Sequence, residues 1–125
     1  MPDPRLLTAA ELELMHVLWE RGPSTVAEVI EGLQGPARAY TTVATLLKIL
    51  DDKGFARTER EGRRLVYAPV VIRGEYEATA VRDVVQRVFS GDAAALVRAL
   101  VDTEPLDDAT RAELALLLIR AESGR

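Results

Sequence analysis

The sequence predicts a mainly α-helical protein: an N-terminal winged helix-turn-helix (three helices plus a β-hairpin wing), followed by a C-terminal helical dimerisation region. Residues 38–54 read as an amphipathic helix stopped by Gly54, and residues 55–67 follow at once as a basic hairpin. Two shorter capped helices precede that pair, and beyond Pro69 the apolar spacing is helical only.

Thr8-Ala9-Ala10-Glu11 is a capping-box pattern, with Leu7 available as a hydrophobic staple. It opens a first helix carrying Leu12, Met15, Leu18 and Trp19, which ends near Arg21-Gly22-Pro23. Thr25 and Glu28 form a second box, and Val26, Val29, Ile30 and Leu33 give a short helix its apolar face before Gln34-Gly35-Pro36 breaks it. The third helix begins near Tyr40 or Thr41. Val43, Leu46, Leu47 and Leu50 form its buried stripe, and Gly54 is the residue just past its end. Phe55 to Thr58, a turn around Glu59–Arg64 containing Gly62, and Leu65-Val66-Tyr67 make the hairpin, which Pro69 closes.

Three further helices are expected: Gly74 to Phe89, Ala93 to Val101 after an Asp92 N-cap, and one from Pro105 and Asp107 or Asp108 to near Ala121. Val81, Val84, Val85, Val88, Phe89, Leu96, Val97, Leu100, Val101, Leu114, Leu117 and Leu118 form wide apolar stripes on them. Three short helices have too little mutual surface to bury all of this, and isolated helices of such length are marginal in water. A second copy of the chain is the simplest cover. The expected domains are therefore 1–72, a winged-helix DNA-binding domain, and 73–125, a helical dimerisation domain.

The net charge of −4 is unevenly spread. Residues 1–73 balance ten basic against ten acidic side chains, whereas 74–125 hold six against ten. Within 36–64, seven basic residues face four acidic ones, and the local patch governs phosphate attraction because distant charges are screened over about 8–10 Å. No cysteine is present, which excludes a disulfide framework, a thiolate nucleophile and a thiolate metal site. No apolar run approaches the roughly 20 residues of a membrane span, and Met1-Pro2-Asp3-Pro4-Arg5 does not read as a leader, so no membrane insertion and a cytoplasmic location are expected.

Thr41, Thr42, Thr45 and Lys48 lie off the buried stripe of the third helix. Threonine hydroxyls and methyls suit base edges and thymine methyls, and Lys48 would reach a phosphate. The bland alternative is that Thr41 is merely an N-cap, which the adjoining short helix and basic hairpin disfavour, while Tyr40 could equally pack or touch a phosphate. Arg57, Arg60, Arg63 and Arg64 surround Gly62, and four arginines in eight residues on a wing favour contact with the DNA backbone. Arg38 adds to the same patch. His16 stands alone, so no metal and no cofactor are expected. Nothing catalytic converges on Asp51-Asp52 or Asp107-Asp108, and neither a P-loop nor a nucleophile elbow is present, which argues against an enzyme.

Trp19, then Tyr40-Thr41-Thr42-Val43 with Thr45-Leu46-Leu47, Leu50 and Lys53-Gly54, then Arg64, Tyr67 and Pro69, resemble the penicillinase repressor (BlaI/MecI/CopY) family. The resemblance runs on through Val88-Phe89, Gly91 and Leu96-Val97 to the last helix. It implies a homodimeric repressor whose winged helix binds a palindromic operator and whose C-terminal helices dimerise. By position it places Thr41, Thr42, Ala44, Thr45 and Lys48 on the recognition helix and Arg60, Arg63 and Arg64 on the wing. In the β-lactam branch of the family, a membrane-bound metalloprotease sensor leads to cleavage at an Asn-Phe bond. The matching positions here are Ala99 and Leu100, so that bond is not present. The copper branch uses a C-terminal cysteine cluster, which this chain lacks.

The expectation is a transcriptional repressor acting as a homodimer on operator DNA and released by a signal, with proteolysis in an antibiotic or cell-wall response as one route. The alternative is a winged-helix protein–protein interaction module, for which the acidic net charge is the best support.

Overall fold

The computed structural model describes residues 6–123. Its elements are α1 (Ala9–Arg21), α2 (Val26–Gly32), α3 (Tyr40–Asp52), β1 (Ala56–Glu61), β2 (Arg64–Pro69), α4 (Arg73–Arg87), α5 (Ala93–Thr103) and α6 (Asp108–Ser123). Contacts divide the chain into two compact units, one ending at Arg82 and the other starting at Asp83. The sequence places its boundary at 72/73, whereas this division falls inside α4.

In the first unit, both capping boxes form. The Thr8 hydroxyl accepts from the Glu11 N–H (3.2 Å), and the Glu11 carboxylate accepts from the Thr8 N–H (2.9 Å). Thr25 and Glu28 repeat the pair at the start of α2. At the other end of α3, Gly54 takes φ +85°, the left-handed conformation glycine adopts without strain. Its N–H donates to Asp51 and the Phe55 N–H donates to Leu50, the paired bonds of a Schellman motif.

Leu14, Met15, Leu18, Val29, Val43, Leu47 and Leu50 are fully enclosed, so all three helices supply the core. Phe55, Tyr67, Val71 and Tyr76 close it from the hairpin side and from the first turn of α4. The Trp19 indole donates to the Val71 carbonyl (2.8 Å) and the Leu7 N–H donates to the Tyr76 hydroxyl (3.1 Å), which fasten the start of α4 to α1.

The two strands pair antiparallel from Ala56↔Pro69 to Glu61↔Arg64. The turn is therefore tighter than the sequence suggests: Glu59, Arg60 and Glu61 belong to β1, Arg64 belongs to β2, and only Gly62 and Arg63 form the loop. Gly62 has φ +66°, which a two-residue hairpin needs at its first position to match the strand twist. Ser24, in the loop before α2, adds a single antiparallel bridge to Tyr67.

The second unit holds the end of α4 with α5 and α6. Asp92 caps α5 through the Ala95 N–H (3.1 Å), and Asp107 accepts from the Thr110 N–H (2.8 Å) at the start of α6. No described residue from 77 to 121 is buried. Among the described residues, no helix is long and apolar enough to cross a membrane.

Candidate nucleic-acid interface

A helix turns 100° per residue, so Val43, Leu47 and Leu50 of α3 share the face turned to the core. Thr41, Thr45 and Lys48 (i, i+4, i+7) share the opposite face and are exposed, with Thr42 exposed beside them. Ala44 is half-buried on the flank toward the wing, and Tyr40 is 59% exposed. Tyr40 therefore does not pack in the core. Ala39 is the N-cap of α3, so Thr41 is a helical residue and not the cap.

Between α3 and the hairpin lies an open groove of about 660 Å³. Tyr40 and Ala44 line it from α3, Arg63, Arg64, Leu65 and Tyr67 from the hairpin, and Thr25 to Glu28 from the start of α2. The structure thus brings four of the sequence-selected residues around one concavity.

The cations differ in how they are held. Lys48 pairs with Asp52 (3.6 Å), Arg57 with Glu59 (2.6 Å) and Arg64 with Glu61 (3.2 Å), all at the surface. Exposed pairs contribute only about 0–1 kcal/mol and weaken with salt, so a phosphate can displace these carboxylates. Arg60 and Arg63 are exposed and form no ion pair with another described residue. Arg38 is half-buried and is held by Glu13 at 2.7 Å.

Neither this Arg38–Glu13 pair nor a second link, between Lys53 and Glu11, was legible in the sequence. The Lys53 ammonium lies 3.0 Å from both oxygens of Glu11, whose side chain is 5% exposed. Burial pushes the Glu11 carboxyl up, but the Thr8 N–H, the Lys53 ammonium and the Thr8 hydroxyl outweigh it and hold it below the usual range. Glu28 is lowered chiefly by the Thr25 backbone N–H and then by its hydroxyl, with a smaller contribution from the Arg64 charge across the groove. The acidic end of α3 is offset locally, since Asp51 accepts from the Thr58 hydroxyl (2.5 Å) and Asp52 faces Lys48.

His16 is exposed and lies edge-on to Trp19, with ring centroids 5.4 Å apart. No group of three or more His, Cys, Asp or Glu among the described residues could hold a metal ion.

Three helices, a two-stranded wing and an exposed face on the third helix beside a cationic hairpin define a winged helix-turn-helix of the nucleic-acid-binding kind. The chain belongs to the penicillinase repressor family, whose sequence profile matches residues 7–120. The family is one of transcriptional repressors, which are not enzymes. The chain is similar to the penicillinase repressor of Bacillus licheniformis, 27% identical over 113 residues covering 90% of this chain and 88% of that one. It is also similar to the solution structure of the DNA-binding domain of the repressor BlaI. The TM-score is 0.52 at 32% identity, with 61% of this chain and 94% of that chain covered. The Bacillus licheniformis BlaI monomeric form in complex with the blaP half-operator gives a TM-score of 0.50, with the same identity and coverage.

Proposed function

We propose that the protein is a cytoplasmic repressor that binds operator DNA as a homodimer. The observation that carries this reading is one groove lined by Tyr40 and Ala44 of α3 and by Arg63 and Arg64 of the wing, on a helix whose threonines Thr41, Thr42 and Thr45 are exposed. Thr41, Thr42, Ala44 and Thr45 would face base edges, while Tyr40, Lys48, Arg60, Arg63 and Arg64 would track the flanking phosphates. The similar BlaI–half-operator complex supports DNA as a partner of this chain. Val81, Val84, Val85, Val88, Phe89, Leu96, Val97, Leu100, Leu114, Leu117 and Leu118 would pair two chains, because none of these positions is buried in a single one.

Release by a membrane-bound metalloprotease sensor in an antibiotic or cell-wall response would act at or near Ala99-Leu100. Both residues lie inside α5, where the Ala99 carbonyl accepts from the Thr103 hydroxyl (2.7 Å). A protease that reads an extended backbone would need α5 to unwind first.

Enrichment of duplexes from a random pool by the purified protein tests the reading. The expected product is an inverted repeat with half-sites about 34–36 Å apart, or a multiple of that, bound by two chains. A pool returned without sequence enrichment overturns the repressor reading in favour of a protein-interaction module.

A further inference from the structure

Helix α3 is gripped at both ends by carboxylates from α1. Two residues before it starts, Arg38 donates to Glu13 at 2.7 Å. One residue after it ends, Lys53 donates to both oxygens of Glu11 at 3.0 Å. The helix needs such a hold at its start. Side chains cap α1, α2 and α5, but the N-cap of α3 is Ala39, which offers no acceptor to the free N–H groups of the first turn. A helix start without a side-chain cap frays unless the chain entering it is fixed. Glu11 is itself locked by the Thr8 capping box, so the α1 start and the α3 end share one carboxylate.

We propose that Glu13 and Glu11 are positioning residues for the recognition helix, and that Arg38 serves as a tether to Glu13 and not as a phosphate ligand. The inference rests on the DNA-binding reading above and concerns the regulation of that same surface. The geometry makes the sign of one effect unusual. Removing an acidic charge near DNA ordinarily strengthens binding, because it lessens repulsion from the phosphates. With the tether in place, removing Glu13 weakens binding, because the entry to α3 loses its anchor.

The probe is a duplex enriched by the wild-type protein, titrated at several salt concentrations with wild type, Glu13→Gln, Arg38→Gln and the exchanged pair E13R/R38E. Glu13→Gln and Arg38→Gln are each expected to weaken binding by about two- to fivefold, the range of a half-exposed pair. The salt slope should stay at the wild-type value in both, and the exchanged pair should recover most of the loss. Equal or tighter binding by Glu13→Gln overturns the proposal. So does a salt slope about one unit shallower in Arg38→Gln, the mark of a lost phosphate contact. Amide hydrogen exchange without DNA gives the same decision if the DNA reading itself fails. The first turn of α3 should exchange faster in Glu13→Gln, and protection equal to wild type refutes the tether.

Discussion

Glu11 joins a helix cap to an ion pair across two helices. It is 4% exposed, accepts from the Thr8 N–H and takes the charge of Lys53. Its folded pKa lies below its unfolded one, so its contribution to stability is fully present above the unfolded carboxylate pKa and is lost as pH falls through the folded value. Urea midpoints measured from pH 7 down to pH 3 should therefore drop in wild type and change less in Glu11→Gln. At pH 7 that substitution should cost about 2–4 kcal/mol, because it leaves Lys53 half-buried without its partner. An unchanged midpoint at pH 7 would refute this. On the binding face, Arg63→Ala with Arg64→Ala should weaken every duplex alike and flatten the salt slope, whereas Thr45→Ala should change which duplexes are preferred. A sequence-selective loss from the arginine pair would contradict their assignment to phosphates.

Among the elements, α1 and α2 approach closely at Gly32. A Cβ built on Gly32 would stand 2.7 Å from a γ-methyl of Val17, a stiff and buried side chain. Alanine favours a helix over glycine by about 1 kcal/mol, but crowding a packed site costs about 1–3 kcal/mol. Gly32→Ala should thus lower the Tm, and the drop should shrink in a Val17→Ala background. A raised Tm in the single variant would reject the close approach. The helix starts were legible because Thr8, Thr25 and Asp92 carry their signal within three residues, and Gly54 marks the end of α3 in the same local way. The sequence makes the turn look too wide because Glu59 to Arg64 are all polar apart from Gly62, and strand pairing of exposed residues leaves no hydrophobic alternation to read. Glu13–Arg38 and Glu11–Lys53 span 25 and 42 positions, so only the packed helices bring them together. The threonine face could be assigned from residue spacing alone, but the groove that Tyr40 and Ala44 share with Arg63 and Arg64 needed the hairpin register.

For the whole molecule, the contrast between the two units is thermodynamic. The first encloses a core, whereas the second has no buried described residue up to position 121. Leu116, Leu117, Leu118 and Ile119 occupy a full turn of α6 and are all exposed, from 40% to 67%. A second copy would cover much of this surface, and burial returns roughly 25 cal/mol per Å². Leu117→Glu should yield a monomer by sedimentation and reduce affinity for a two-half-site duplex to that for one half-site. The winged-helix unit should keep its own unfolding transition. A variant that still sediments as a dimer would sink this assignment.

The unburied second unit carries a consequence for dosage. If α5 and α6 gain their cover only by pairing, the binding-competent species forms in proportion to the square of the free chain concentration. Operator occupancy would then respond to protein abundance with a sigmoidal curve. Where chains are scarce, halving their number would leave about a quarter of the active form, by the same mass action. A modest fall in synthesis could open the promoter with every remaining chain intact.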